Sequence, residues 1–264
     1  MTKRMRIFAG PNGSGKSSII KAIRNTEVQS GKTLDFGIYI NADDIAQDLY
    51  NSGLDFSTYK IIYDQQEFEE VAHNSGLIRR EFPLPRLMQC IKVSNNRLKV
   101  IRKIADEKND NPYERIAQIL ADFLRKKLLK EGVKFSFETV FSHPSKVAII
   151  KQAKEAGYKV YLYFVSTEDP TINVHRVKKV RVPQDGHDVP EDKIIDRYYR
   201  SMDLLYKAAQ HCYQAYFFDN SKEGERHNLF AHFKLNGRGK KVWNDIKNEE
   251  VPEWFKHYYS GKIG

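Results

Sequence analysis

Gly10-Pro11-Asn12-Gly13-Ser14-Gly15-Lys16-Ser17 fits the pattern G-x-x-x-x-G-K-[ST] in full, with a β-like run before it and the helical run Ser18 to Arg24 after it. Glycines let the backbone curl until consecutive N–H groups point inward, and a helix N-terminus adds partial positive charge. Such a segment suits a row of phosphates. Lys16 has the reach for the β- and γ-phosphates, the Ser17 hydroxyl suits Mg²⁺, and Ser18 extends the cradle. Binding of a Mg-nucleotide follows; its use does not, because P-loops serve kinases, motors, switches and transporters alike.

Two carboxylates and a basic stretch could supply the rest of a phosphoryl transfer. Ile40-Asn41-Ala42-Asp43-Asp44 ends a short strand, which brings Asp43 to the carboxyl edge of a sheet, where open α/β folds bind ligands. There Asp43 is the candidate base for an acceptor hydroxyl. The bland alternative is that Asp43 or Asp44 caps the helix Ile45 to Tyr50, and Asp44 reads as first-turn charge. Glu138-Thr139 falls at the end of another strand, with Ser142 and His143 beyond it. Glu138 could position Mg²⁺ or its water, bind substrate hydroxyls, or pair with a nearby lysine, while His143 before Pro144 reads as a turn residue. Arg176 and Arg181 could neutralise charge on a transferred group. They are five apart, about 140° around an α-helix, so a bend or loop is needed to aim both at one phosphate. The alternative for this stretch is a solvated basic face; Arg197 and Arg200 are second-rank candidates.

Strands and helices must alternate to deliver these residues to one edge. Five β-like runs stand out: Arg6 to Ala9, Phe36 to Ile40, Val133 to Phe137, Lys159 to Ser166 and Ala215 to Asp219. With helical patterns between them they predict an α/β fold, a mainly parallel five-stranded sheet with helices on both faces. The interval 56–131 reads as a helical insertion, with helices Tyr59 to Ala72, Arg86 to Glu107 and Tyr113 to Lys130, or as an ordinary part of the core. A lid spans about 169–190, the helix Pro190 to Cys212 is strongly periodic, and residues 233–264 form a polar tail whose Val251 to Phe255 cluster docks back on the 1–232 domain.

The 264 residues are 41% hydrophobic and 30% charged, a folded composition. No apolar run approaches the roughly 20 residues of a membrane span, and the N-terminus lacks the pattern of a signal peptide. Cys90 and Cys212 have neither disulfide-framework nor zinc spacing, so a cytoplasmic protein is expected. The net charge of +10 attracts anions without choosing among them. Eleven cations crowd the middle third: Arg79, Arg80, Arg86, Lys92, Arg97, Lys99, Arg102, Lys103, Arg125, Lys126 and Lys127. They read either as a solvated helical surface or as a polyanion site, the latter favouring a kinase of nucleic-acid ends. A nucleotide-dependent binding switch without an acceptor is the reading from a different class.

The motifs GPNGSGKSS, INAD, FETVFS, YFVSTEDPTINVHRV, GHDVPEDKI, RYYRS and FDNS occur in an order that resembles the zeta-toxin family of P-loop kinases, over roughly residues 5–221. The resemblance implies a parallel sheet with a lid, and ATP or GTP with Mg²⁺ as donor. It further implies a small-molecule acceptor, UDP-N-acetylglucosamine in the founding members, and an antitoxin partner that blocks the nucleotide site. By motif, Lys16 and Ser17 match the nucleotide residues and Asp43 matches the catalytic base. Glu138 matches the substrate-contacting glutamate, and Arg176 and Arg181 match the phosphate-neutralising arginines. The chain departs from the family where Thr139-Val140 replaces Gly-Thr, where Asp185 replaces a glycine, and in the length of 56–131.

Overall fold

A computed structural model of the chain describes residues 2–29, 31–101, 112–181, 189–224 and 227–263. The chain divides into two compact units, 1–37 with 136–264, and 38–135.

The first unit is a mixed α/β layer with a largely parallel centre. In it β1 (Arg4–Ala9) pairs in parallel with β9 (Lys159–Ser166), which pairs in parallel with β10 (Gln214–Asp219). β8 (Phe135–Thr139) flanks β1 on the other side. The central strands are almost continuously apolar because helices cover both faces, and β1 is buried from Met5 to Ala9. One face carries a ladder of rings across paired positions: Phe8 on Tyr163 at 4.9 Å, Tyr163 on Tyr216 at 4.8 Å, and Tyr216 on His232 at 5.3 Å. The expected five strands do not complete the sheet. β11 (Asn228–Leu235) runs antiparallel to β10, and β12 (Lys241–Trp243) antiparallel to β11, so the tail expected from residue 233 begins inside a strand.

The C-terminal helix Glu253–Tyr258 packs its aromatic residues on this extension. Phe255 lies 4.8 Å from Phe217 and 5.1 Å from Phe230, and Tyr259 lies 5.2 Å from Phe217. The helix Glu191–Ala209 buries Ile194, Tyr198, Met202, Leu205 and Ala209, the periodic face seen in the sequence.

In the second unit Ile38 N–H donates to the Lys134 carbonyl at 3.1 Å, which anchors β4 (Ile38–Ile40) beside the chain entering β8. The helix Pro112–Lys130 forms its core with Phe56, Tyr63, Phe68 and Phe123 in mutual ring contact. The expected helix Arg86 to Glu107 is not what forms. A short helix, Leu84–Cys90, gives way to a hairpin of β6 (Ile91–Ser94) and β7 (Arg97–Val100), and 102–111 lie outside the described residues. The physical reason is Asn95-Asn96, both with positive φ (50° and 57°), the backbone of a tight hairpin turn. Among the described residues, four of these crowded cations sit in ion pairs: Arg97 with Asp55, Arg125 and Lys126 with Asp122, and Lys127 with Glu67. That gives this part of the positive charge a structural use.

Candidate functional site

The turn from β1 into the helix Lys16–Arg24 curls as its glycines allow. Gly15 precedes the helix at φ 94° and supplies no side-chain cap, and the first turn contains no acidic residue. The leading amides are left for an anion. Two buried side-chain atoms, Asn12 Oδ1 and Ser14 Oγ, have no hydrogen-bond partner. Polar atoms buried in that state are costly unless something polar meets them: a phosphate oxygen would accept from the Ser14 hydroxyl, and water would donate to Asn12 Oδ1. The site therefore fits a polyphosphate on its own chemistry.

Three elements grip this loop from outside, each at a motif glycine. A Cβ on Gly10 would lie 2.0 Å from the Val165 carbonyl oxygen at the end of β9. One on Gly13 would lie 2.7 Å from the Asn173 carbonyl oxygen, and one on Gly15 would lie 2.3 Å from Asn220 Nδ2 and 2.9 Å from His227 Nε2. Only hydrogen leaves room for these approaches.

Hydrogen bonds made at the same contacts orient the cradle. Asn173 Nδ2 donates to the Asn12 carbonyl at 2.5 Å, Asn220 Nδ2 donates to the Ser14 carbonyl at 2.8 Å, and His227 Nε2 lies 3.2 Å from the Gly15 carbonyl. Each peptide unit is planar and trans, so pinning a carbonyl sets the opposite direction for the N–H that follows it. The amides of Gly13, Gly15 and Lys16 are fixed in this way. Burial holds the His227 imidazole below its usual pKa; the Gly15 carbonyl pulls the other way and the nearby Arg176 charge adds to the depression. Behind Asn173, Thr167 Oγ1 donates to Asn173 Oδ1, and the buried Tyr198 hydroxyl donates to the Thr167 carbonyl at 2.7 Å.

Lys16 is buried and its ammonium donates to the Pro11 carbonyl at 2.8 Å, folded along the inside of its own loop. Ser17 and Ser18 are exposed in the first helical turn, and the Ser17 hydroxyl lies 3.5 Å from Glu138 Oε1. A hydroxyl and a carboxylate at this separation form the sparse oxygen set that Mg²⁺ uses beside phosphates. Among the described residues no three His, Cys, Asp or Glu side chains gather into a metal cage.

Thr139 Oγ1 accepts the Phe141 N–H at 3.3 Å, and Phe141, fully buried, holds φ 65°, a rare conformation for a bulky residue. The chain that leaves β8 after Glu138 and Thr139 thus holds a strained position at Phe141.

Arg176 opens a π-helical turn, Arg176–Arg181, that continues the helix Pro170–His175. Its guanidinium donates to the Asn220 carbonyl at 2.7 Å and the Lys222 carbonyl at 3.4 Å. Hydrogen bonds in such a turn run between residues five apart, so the backbone at positions 176 and 181 is separated by little more than one turn. The 140° separation expected of an α-helix does not apply to these two backbone positions. The Arg181 side chain and residues 182–188 of the expected lid, with Asp185, Gly186 and His187, lie outside the described residues. Arg200 is engaged with Asp196 at 2.7 Å.

Asp43 belongs to the second unit. It is the second residue of the helix Ala42–Asn51, and the cap is Asn41, whose side chain accepts the Asp43 N–H at 2.9 Å. The capping alternative for Asp43 and Asp44 is therefore replaced by Asn41. Asn173, Asn220 and His227 were given no role from sequence; the first two sit within quoted motifs, and only the fold brings them to the cradle.

The family model described as Zeta toxin matches residues 97–226. No curated protein sequence matches the chain. Among solved structures, the native AvrRxo1-ORF1:AvrRxo1-ORF2 complex aligns with TM-score 0.51 at 13% identity, covering 100% of this chain and 65% of that one. The same complex with sulphate ions aligns with TM-score 0.50 at 13% identity and the same coverage. A structure from the PezAT chromosomal toxin-antitoxin system of Streptococcus pneumoniae aligns with TM-score 0.45 at 12% identity, covering 100% of this chain and 80% of that one. The chain thus spans 65% of the AvrRxo1 chains it resembles, and the likeness is one of fold.

Proposed function

We propose, for a chain whose residues 97–226 match the zeta-toxin model and so take in the motifs from FETVFS to FDNS, that the protein is a P-loop kinase passing the γ-phosphoryl group of ATP or GTP to a small-molecule hydroxyl. The observation that carries its nucleotide half is the cradle, where pinned carbonyls orient the amides of Gly13, Gly15 and Lys16 beside the unpartnered Ser14 Oγ; the transfer to an acceptor is supported by the family match.

In this reading the residues Gly10 to Ser18 bind the phosphates, Lys16 turns its ammonium from Pro11 to the β- and γ-phosphates, and Arg176 offsets charge on the transferred group. Ser17 and Glu138 would hold Mg²⁺, which would supply neutralisation of the phosphate oxygens. Asp43 takes the proton of the acceptor hydroxyl as its oxygen bonds to the γ-phosphorus and the bond to the leaving nucleoside diphosphate breaks. Glu138 and Thr139 face the acceptor, for which a nucleotide sugar such as UDP-N-acetylglucosamine is the leading class. Arg181 is the second neutralising arginine, and an antitoxin protein that covers the nucleotide site is the proposed partner.

The test is incubation with Mg-ATP or Mg-GTP and a panel of nucleotide sugars, read as a mass gain of one phosphoryl group. Lys16→Ala is expected to lower turnover at least about 10²-fold, and Asp43→Asn about 10²–10⁴-fold. Modification of no sugar by the wild type removes that acceptor class. An Asp43→Asn rate equal to wild type removes the base.

A further inference from the structure

Trp254 stands in the first turn of the C-terminal helix Glu253–Tyr258 and is 2% exposed. It is held by two acids. Its backbone N–H donates to Glu168 Oε1 at 3.0 Å, and its indole Nε1–H donates to Asp219 Oδ1 at 2.9 Å. Glu168 follows β9 and Asp219 ends β10, so the tail is fastened to the carboxyl ends of two parallel strands, the same edge that carries the cradle.

The Asp219 carboxylate also closes the turn Asp219-Asn220-Ser221. Ser221 N–H donates to its Oδ2 at 3.2 Å and the Ser221 hydroxyl to its Oδ1 at 2.7 Å. Glu168 N–H donates to the Ser221 hydroxyl at 2.8 Å, which ties the two loops together. Asn220 is the residue this turn presents. Its own N–H donates to the Ser166 carbonyl at 2.9 Å, its side chain to the Ser14 carbonyl at 2.8 Å, and its carbonyl accepts Arg176 at 2.7 Å. A path of hydrogen bonds and one covalent step therefore runs from the indole to the Ser14–Gly15 peptide and to Arg176. Asp219 can use several acceptor positions at once, so the indole adds a third donor without displacing the two from Ser221. Burial of Trp254 removes the water that would otherwise compete.

We propose that Trp254 is a positioning residue for the nucleotide site: its indole bond to Asp219 holds the Asp219-Asn220-Ser221 turn, and with it the Ser14–Gly15 peptide, in the orientation that accepts phosphate. The proposal rests on the cradle reading above. The plain alternative is that Trp254 only packs, since its ring lies 5.5 Å from Phe230 and 5.7 Å from Phe255.

Trp254→Phe separates the two, because an aromatic ring remains and the N–H is lost. Calorimetric titration with Mg-ATP is expected to show affinity about tenfold weaker than wild type, in line with loss of a hydrogen bond to a charged group. Asn220→Ala should weaken it comparably, and adding Trp254→Phe to Asn220→Ala should cost less than threefold more, because both act on one path. Amide hydrogen exchange over residues 12–17 of the ligand-free protein should be faster in Trp254→Phe than in wild type. A variant that melts earlier yet keeps wild-type affinity and wild-type exchange at the cradle overturns the proposal. Should Trp254→Phe fail to fold, Ser221→Ala reads the same path from a loop, and unchanged affinity and exchange there overturn it equally. If the wild type binds neither Mg-ATP nor Mg-GTP, the kinase reading falls, and the exchange comparison still decides whether Trp254 orders the loop.

Discussion

Gly10 shows what a single residue contributes here. It sits at φ 146°, and a Cβ would lie 2.0 Å from the Val165 carbonyl, a backbone atom that can retreat only by breaking the end of β9. Gly10→Ala is therefore expected to destabilise the protein by at least about 1 kcal/mol. A urea titration should show a lower midpoint with unchanged slope, and an unchanged midpoint would mean the loop is softer than its packing implies. The eight residues of the cradle could be read from sequence because their spacing is local and fixed by backbone geometry. Their supports could not: Asn173, Asn220 and His227 are far along the chain, and nothing about an asparagine announces that it will meet a distant carbonyl. Asn41 is a milder case, since Asn is as good an N-cap as Asp and stood next to the pair that drew attention.

At the scale of elements, the parallel strands were legible because buried strands are near-continuous apolar runs. The hairpin β6–β7 was not, although Ile91, Val93, Leu98 and Val100 alternate about Asn95-Asn96; its flanking basic residues suit a helix surface equally well. β11 and β12 were missed for a related reason, being an edge extension with polar residues and a glycine-bearing turn. The C-terminal helix has an acid for its cap, since Glu168 accepts the Trp254 N–H. Burial pushes the Glu168 carboxyl above its usual range, with the neighbouring Asp219 and Glu253 charges in the same direction, against the pull of the Trp254 N–H. A carboxyl raised on folding binds its proton more tightly in the native state, so its stabilising share is present at acid pH and lost as pH rises through the folded value. Glu168→Gln keeps an acceptor without the charge. It is expected to be more stable than wild type at pH 7, with the difference shrinking towards pH 4, as urea midpoints at the two values would reveal. A Gln variant weaker than wild type at pH 7 would show that the carboxylate charge helps the helix N-terminus more than burial costs it.

For the whole molecule, the division of the chain into two units makes ligand linkage informative. The cradle, Arg176, Glu138 and the tail all lie in the unit formed by 1–37 and 136–264, whereas Asp43 lies in 38–135. A ligand that binds the native state at a hundred times its Kd adds about 2.7 kcal/mol, which for a chain of this size raises Tm by roughly 5–10 °C. Mg-ATP or Mg-GTP at that excess should therefore raise the melting temperature of the wild type. Lys16→Ala loses a charged hydrogen bond to phosphate, about 1.5–3 kcal/mol of affinity, so at the same nucleotide concentration its gain should fall to about 1.4 kcal/mol or less. Asp43→Asn makes no phosphate contact in the proposed mechanism and should keep the full shift while losing turnover. Calorimetry of the three proteins with and without nucleotide checks this. A shift lost in Asp43→Asn would move that residue from proton transfer to nucleotide binding, and a shift kept in Lys16→Ala would mean that the nucleotide is held somewhere other than Gly10 to Ser17.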